Sequence, residues 1–267
     1  MSKLTAKQNI KAIVTAIKAE EQSLRARYPI LNQQNKIAMV ILLVSLCSLF
    51  GVATLYYLAV IPSWLCIILA AFITSISHEL EHDLIHKQYF SNRPFIHNFM
   101  MLTVWLMRPN TVNPWYRRKI HLHHHKVSGT SQDLEERLVG NGIKSPLLRA
   151  LVITDGLLGL LINTKRFKKE ISGFKFFRVF NAGFPIATAY FAILYGVIAY
   201  YAVQFVQPFT LPSWGAELLA MAEFLMVVLI VPNIIRSSSL NLVTSSMHYY
   251  GGVNNLLEQT HVITSRW

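Results

Sequence analysis

The sequence predicts an all-α integral membrane protein, with about four transmembrane helices and a cytosolic helical cap that carries two histidine clusters. Three observations predict it. Of 267 residues, 53% are hydrophobic and only 14% charged, whereas soluble domains carry nearer a quarter charged residues. The missing charge is concentrated in a few long uncharged stretches, the signature of membrane spans. The histidines gather in two short runs beside such stretches.

The elements follow in chain order. Residues 2–27 are polar and basic, with Ile10, Ile13, Val14, Ile17 and Leu24 at helical spacing. That pattern predicts a basic amphipathic helix, lying on the membrane surface or packed on the cytosolic cap. Residues 37–61 contain no charged side chain, and at about 1.5 Å per residue such a helix crosses a hydrocarbon core of roughly 30 Å. Pro62 breaks it, and residues 63–77 are apolar again, which predicts a helical hairpin whose second arm continues into His78-Glu79-Leu80-Glu81-His82-Asp83-Leu84-Ile85-His86. Residues 87–178 form the basic middle of the chain. Its apolar pieces, 95–107 and 146–164, are predicted as interfacial or partly buried helices, with His121-Leu122-His123-His124-His125 between them. A third span is expected over 182–205 and a loop over 207–213. A fourth helix starts near Glu217 and extends past Arg236 to His248. Four segments result: a cytosolic basic segment (1–36), a hairpin ending in the first cluster (37–86), a cytosolic or interfacial region with the second cluster (87–178), and the last two spans with the C-terminal segment (179–267).

Charge sets the orientation. The turn near Pro62 and the loop near Pro208 carry no Lys or Arg, whereas the N-terminal segment and residues 87–178 hold nearly all of them. By the positive-inside rule, both termini and both clusters face the cytosol, where an anionic leaflet attracts them. The net charge of +12 flanks apolar spans instead of forming a basic folded domain, which argues against nucleic acid as a partner. Cys47 and Cys66 lie in apolar stretches and suggest no disulfide framework. No signal peptide is predicted at the N-terminus.

His78, His82 and His86 are four residues apart, so they lie within about 80° of one another on one helix face. Imidazoles at the end of a membrane helix are costly without partners, and neutral imidazole is the commonest metal ligand. Glu79, Glu81 and Asp83 fall on other faces and are candidates for orienting the rings. The same string fits H-E-x-x-H, with Glu79 as the general base of a zinc protease. His121, His124 and His125 fit H-x-x-H-H and share a helix face, with His123 opposite. A zinc protease needs about three protein ligands and one open position, so a second cluster favours two metals. Nitrogen donors suit zinc, copper, iron or nickel, which leaves the metal open. Trp105, Trp115 and Tyr116 are candidates for a substrate path or for an aromatic belt at the membrane interface. Glu223 is the only charged midplane candidate for a transport role.

The two motifs together, on the cytosolic ends of membrane helices, resemble the first and second histidine boxes of the membrane fatty acid desaturase and hydroxylase superfamily. The resemblance covers most of the chain, including its four-span topology. It implies two iron ions, molecular oxygen and a lipid or acyl-chain substrate. It also implies an external electron donor, a separate ferredoxin- or cytochrome-like protein that the basic face would steer. No G-x-G-x-x-G fingerprint supplies reducing equivalents within the chain. The implied ligands are His78, His82, His121, His124 and His125, with His86 added by its spacing. Residues 244–251 resemble the family stretch in which a histidine after small polar residues ligates iron, which adds His248. The family pattern includes a third H-x-x-H-H box, and after His248 this sequence has only His261. The expectation is that an intact enzyme continues beyond Trp267; the alternative is that His248 and His261 replace the third box in a reduced site. The implied activity is oxygen-dependent desaturation or hydroxylation of an acyl chain. Alkane and carotenoid oxygenases of the same superfamily are the near alternatives, and a zinc membrane protease built on His78-Glu79-x-x-His82 is the rival from another class.

Overall fold

The computed structural model describes residues 5–128 and 130–247, and every regular element among them is helical. Residues Met1–Ile41 and Leu42–Trp267 form two compact units. The first contains α1 (Ala6–Arg27), a 3₁₀ turn (Pro29–Gln33) and the start of α2 (Gln34–Tyr57). A capping box starts α1: the Thr5 hydroxyl accepts from the Gln8 backbone N–H while the Gln8 side chain accepts from the Thr5 backbone N–H. A helix forms where one was expected, and Ile10, Ile13, Val14, Ile17 and Leu24 are exposed along it.

The second unit continues α2 and adds α3 (Ser63–Ile85), α4 (Pro94–Met107), α5 (Pro114–Val127), α6 (Leu134–Leu138), α7 (Pro146–Thr154) and α8 (Gly156–Glu170). Then follow α9 (Phe176–Ala182), α10 (Ile186–Val206), α11 (Ser213–Leu225), a π turn (Met226–Ile230) and α12 (Val231–Met247). Four helical stretches are long and apolar enough to cross a membrane: 29–57, 63–85, 186–206 and 213–244. Large apolar side chains such as Val44, Phe50, Phe72, Ile198 and Val203 are exposed on them. That surface suits hydrocarbon, while the helices keep their backbone polar groups paired internally.

Several boundaries differ from the sequence expectation for identifiable reasons. The third span begins at Ile186 instead of 182, because residues 176–182 fold as the separate helix α9 ahead of Pro185. The piece 146–164 divides in two because Asp155 caps α8, its Oδ1 accepting 2.9 Å bonds from the Leu157 and Leu158 backbone N–H groups. The fourth helix starts at Ser213, directly after Pro212, and runs without a break through the π turn into α12.

α3 is the central element, packing against α4, α5 and α12. Its buried face carries Cys66, Ala70, Thr74 and Ser77. Small side chains at this helical spacing let neighbouring backbones come close. α12 is tied to the end of α4 by polar groups. The Asn233 amide donates to the Met107 carbonyl (3.0 Å), and the Asn110 amide donates to the Ser237 hydroxyl (3.1 Å).

The end of α3 matters most for the site. The Lys87 N–H bonds the Leu84 carbonyl (2.9 Å), and the Gln88 N–H bonds the Asp83 carbonyl (3.1 Å). This is a Schellman closure, with Lys87 left-handed at φ +59° where glycine is usual. It stops the helix at Ile85 and leaves His86 as the capping residue, still on the face of His82.

Candidate metal centre

The first histidine run arrives on α3 and the second on α5, and the structure brings the two together. The ring centroids of His82 and His86 are 4.8 Å apart, and each lies 4.9 Å from that of His121. His125 closes the group at 4.6 Å from His121 and 5.1 Å from His86. His124 stacks beside His121 at 5.7 Å. His123 is exposed, on the far side of α5 as its spacing predicts. His78 is buried, and its Nδ1 has no hydrogen-bond partner.

Carboxylates from the α6 segment orient this cluster. Glu135 accepts from His121 Nδ1 at 2.8 Å, and Asp133 accepts from His124 Nδ1 at 2.7 Å. An ionised carboxylate can only accept, so both Nδ1 atoms carry a proton, which in the neutral ring leaves Nε2 as the free lone pair. Asp133 has a second role: its Oδ1 accepts from the Glu136 backbone N–H and caps α6. Burial alone would raise the Glu135 carboxyl. The His121 hydrogen bond and the charge of Arg117 outweigh burial and hold it below the ordinary carboxylate range. Burial and the neighbouring imidazoles keep His86 and His125 below the usual histidine range. Both therefore favour the neutral form that a metal needs.

The nitrogen geometry tests whether a metal fits. His86 Nε2 lies 3.0 Å from His121 Nε2, and His125 Nε2 lies 3.1 Å from His121 Nε2 and 3.3 Å from His86 Nε2. In the neutral ring His121 Nε2 accepts. If His86 and His125 both donate to it, their own contact sets two donors face to face; if only one donates, the other faces His121 with two lone pairs. No arrangement of protons satisfies all three contacts, whereas one cation shared by the three nitrogens does. Nitrogens held at about 2.1 Å from one ion, roughly 90–110° apart, sit about 3.0–3.4 Å from one another. The ring nitrogens of His82, His86 and His121 also lie within 4.8 Å of one another. The donor set is imidazole nitrogen with carboxylates behind it, the usual arrangement for a tuned metal site.

The acidic residues of the first run do something other than expected. Glu81 does not orient an imidazole. Its buried carboxylate pairs with Arg108 at the end of α4 and, at 3.0 Å, with Arg117 on α5. Asp83 accepts from the Tyr89 hydroxyl at 2.7 Å and lies 3.8 Å from His82 Nδ1. Glu79 is exposed. The orienting acids Asp133 and Glu135 lie beyond the second run, and the only sequence signal for them is a short acidic stretch, Asp133-Leu134-Glu135-Glu136, after the histidines.

A further residue fixes the register between the two runs. Arg118, next to Arg117 on α5, donates from Nε to the Ile85 carbonyl (2.9 Å) and from Nη2 to the Leu84 carbonyl (2.8 Å). It thereby satisfies carbonyls at the C-terminal end of α3. Arg118 also contacts His97 Nε2 at 2.6 Å, and His97 Nδ1 lies 2.9 Å from the Tyr89 carbonyl. His97 therefore braces the junction and stands outside the cluster.

A cavity of about 640 Å³ opens from the histidine end. His78, His82, His121 and His124 line one part, together with Arg108, Arg117 and Arg236. Glu135 and Glu136 lie in the lining too, and apolar side chains of α8 and α10, among them Leu157, Leu160 and Phe191, contribute to the remaining walls. Trp105, Trp115 and Tyr116 do not line it. Trp105 bonds the Thr111 carbonyl, Trp115 bonds Asn98, and Tyr116 packs on the apolar cluster around Leu160 and Phe167. The substrate-path reading of these aromatics does not describe this cavity. His248 and His261 lie outside the described residues.

No curated protein and no solved structure matches the chain. The sequence model described as Fatty acid desaturase matches residues 57–267, a stretch that takes in both histidine runs, the acids behind them and the cavity. Membership of that group carries membrane association and action on lipid with it. The chain belongs to the fatty acid desaturase family.

Proposed function

We propose that the chain is an oxygen-dependent oxidoreductase that desaturates or hydroxylates the acyl chain of a lipid at a site built from His78, His82, His86, His121, His124 and His125. The observation that carries this reading is the convergence of the His86, His121 and His125 Nε2 atoms to 3.0–3.3 Å beside a largely apolar cavity that His121 also lines. Iron held there would supply the oxygen chemistry that unactivated methylene C–H bonds require and acid–base side chains cannot provide.

The protein's own part is positioning. Asp133 and Glu135 hold protons of His124 and His121 on Nδ1, which leaves His121 Nε2 to the group it forms with His86 and His125. The Glu81–Arg108–Arg117 group locks α3, the end of α4 and α5 together. The apolar side chains of α8 and α10 that line the cavity would flank an acyl chain. His248, which follows the end of α12, is proposed as a further ligand. The basic cytosolic face would receive a ferredoxin- or cytochrome-like donor, with both termini and both histidine runs on that side. The four segments 1–36, 37–86, 87–178 and 179–267 remain the proposed division of the chain.

An alkane or carotenoid oxygenase would differ only in what fills the cavity. The protease reading needs Glu79 at the metal; Glu79 is exposed and does not line the cavity, which favours the oxygenase.

Two measurements test the proposal. Elemental analysis of the detergent-purified chain should give close to two irons per chain, with less after His248→Ala; one zinc and no iron would sink it. Mass spectrometry of lipids from cells expressing the chain should show an oxygen-dependent gain of a double bond or hydroxyl group. The gain should vanish in His121→Ala. No oxygen-dependent change in any lipid would defeat the proposal.

A further inference from the structure

Arg236 lies on α12 inside the membrane-spanning stretch 213–244 and is only 4% exposed. Its guanidinium is held by two neutral oxygens. Nε donates to Asn233 Oδ1 at 3.0 Å, and Nη2 donates to Asn110 Oδ1 at 2.9 Å. Among the described residues no carboxylate pairs with it. The other two arginines lining the cavity share acids: Glu81 pairs with both Arg108 and Arg117, and Glu135 lies 3.8 Å from Arg117. Arg108 is fully buried, and its Nε also lacks a hydrogen-bond partner. Glu135 and Glu136 also line the cavity, so its arginines and acids are mixed, and Arg236 is the lining arginine for which no acid partner is found among the described residues.

A buried cation without a counter-ion is costly, and the cost falls away when an anion binds beside it. Arginine is the side chain best shaped to do this, because its planar fork can meet both oxygens of a carboxylate or two of a phosphate. The two asparagines fix Nε and Nη2, so the guanidinium is oriented before any ligand arrives. We propose that the cavity binds its lipid by an anionic end, a carboxylate or phosphate seated on Arg236 with Arg108 behind it, while the acyl chain runs between α8 and α10. This rests on the acyl-lipid reading above and adds which end of the lipid enters and what receives it. An anchored charged end also fixes the distance from that end to the histidines, so the carbon that reacts is set by counting from the anion.

The test uses the full chain, purified in detergent without added metal, and a radiolabelled 18-carbon fatty acid as probe. Unlabelled 18-carbon acid, the 18-carbon alcohol and inorganic phosphate are the competitors. The expected result is that the acid competes at least about tenfold better than the alcohol. That is the scale of a charge-assisted hydrogen bond. In Arg236→Gln the advantage should disappear while the alcohol's affinity stays as it was, and Arg236→Lys should keep part of it. Equal competition by acid and alcohol in the native chain overturns the inference, even if the variants fail to fold. So does an acid preference that survives in a folded Arg236→Gln. Competition by inorganic phosphate as strong as by the acid would assign the charge to a free anion and overturn the lipid assignment. If neither acid nor alcohol binds, the acyl-lipid reading itself fails, which is a different result from equal binding of both.

Discussion

Replacing Arg118 by methionine would remove two hydrogen bonds from the end of α3 while leaving every proposed ligand in place. The two carbonyls do not lose equally. The Leu84 oxygen keeps a bond from the Lys87 N–H, whereas Arg118 supplies the hydrogen bond found for the Ile85 oxygen beyond the helix end. Leu84 and Ile85 are both fully buried, so water cannot replace the lost donor. A buried carbonyl left without a partner costs about 1–3 kcal/mol, and a second weakened bond brings the expected destabilisation to about 2–4 kcal/mol. Part of that cost falls on the register between His86 and His121, whose Nε2 atoms lie 3.0 Å apart. At 1.4 kcal/mol per factor of ten, even half of it would lower metal affinity by roughly tenfold. Titrating iron(II) or zinc(II) into the metal-free chain, alongside thermal unfolding, measures both effects. Arg118→Lys, which keeps a single donor nitrogen in place of the guanidinium fork, should fall between the native chain and the methionine variant. A methionine variant with native affinity and native melting temperature would refute the claim that Arg118 sets the register.

The remaining predictions draw on neighbouring features. Glu135→Gln and Asp133→Asn should each lower metal affinity about ten- to a hundredfold by releasing the tautomer of His121 or His124, as metal titration would show. His123→Ala should leave metal content unchanged, whereas His86→Ala should reduce it, both by elemental analysis. Lys87→Gly should stabilise the chain by about 1 kcal/mol by relieving a left-handed non-glycine residue, visible as a raised melting temperature. Glu170 accepts from Arg137 at 2.6 Å and from Arg166 at 3.1 Å. Burial would raise its carboxyl, but the two arginines outweigh that and hold it below the ordinary range. Its contribution is therefore full above the unfolded carboxylate value of about 4.3 and fades as pH falls through the lower folded value. Glu170→Gln should melt lower than the native chain at neutral pH, and the gap should close below about pH 4.

Much of this was legible because helical spacing is a local property. His78, His82 and His86 at intervals of four had to share a face once α3 formed, and His121, His124 and His125 had to oppose His123. The four spans could be read from length and charge because hydrocarbon excludes charged side chains over a fixed thickness. What the sequence did not reveal depended on contacts between distant segments. Glu81 turned to Arg108 and Arg117 because α4 and α5 bring two guanidinium groups to it, which spacing within α3 cannot show. Asp133 and Glu135 reach the histidines through the bend between α5 and α6. Arg118 reads as one more basic loop residue until the buried carbonyls at the end of α3 come to meet it. Ala182 fell into the third span because Ala182, Gly183 and Phe184 extend the uncharged run of α10 backwards, and only the turn before Pro185 separates the two helices.

The π turn at Met226–Ile230 lets one long helix serve two environments. One surplus residue advances the helical phase by about 100°, so α11 and α12 need not present the same side to their neighbours. Before the turn, Leu218 and Met221 are exposed; after it, Asn233, Arg236 and Ser237 are buried against the rest of the unit. Deleting a single residue such as Val228 would make the helix regular and swing one half by that angle relative to the other. It would carry Arg236 toward lipid, or Leu218 and its neighbours toward the interior. One codon thus separates a helix that merely crosses the bilayer from one that also delivers a charged side chain to the cavity.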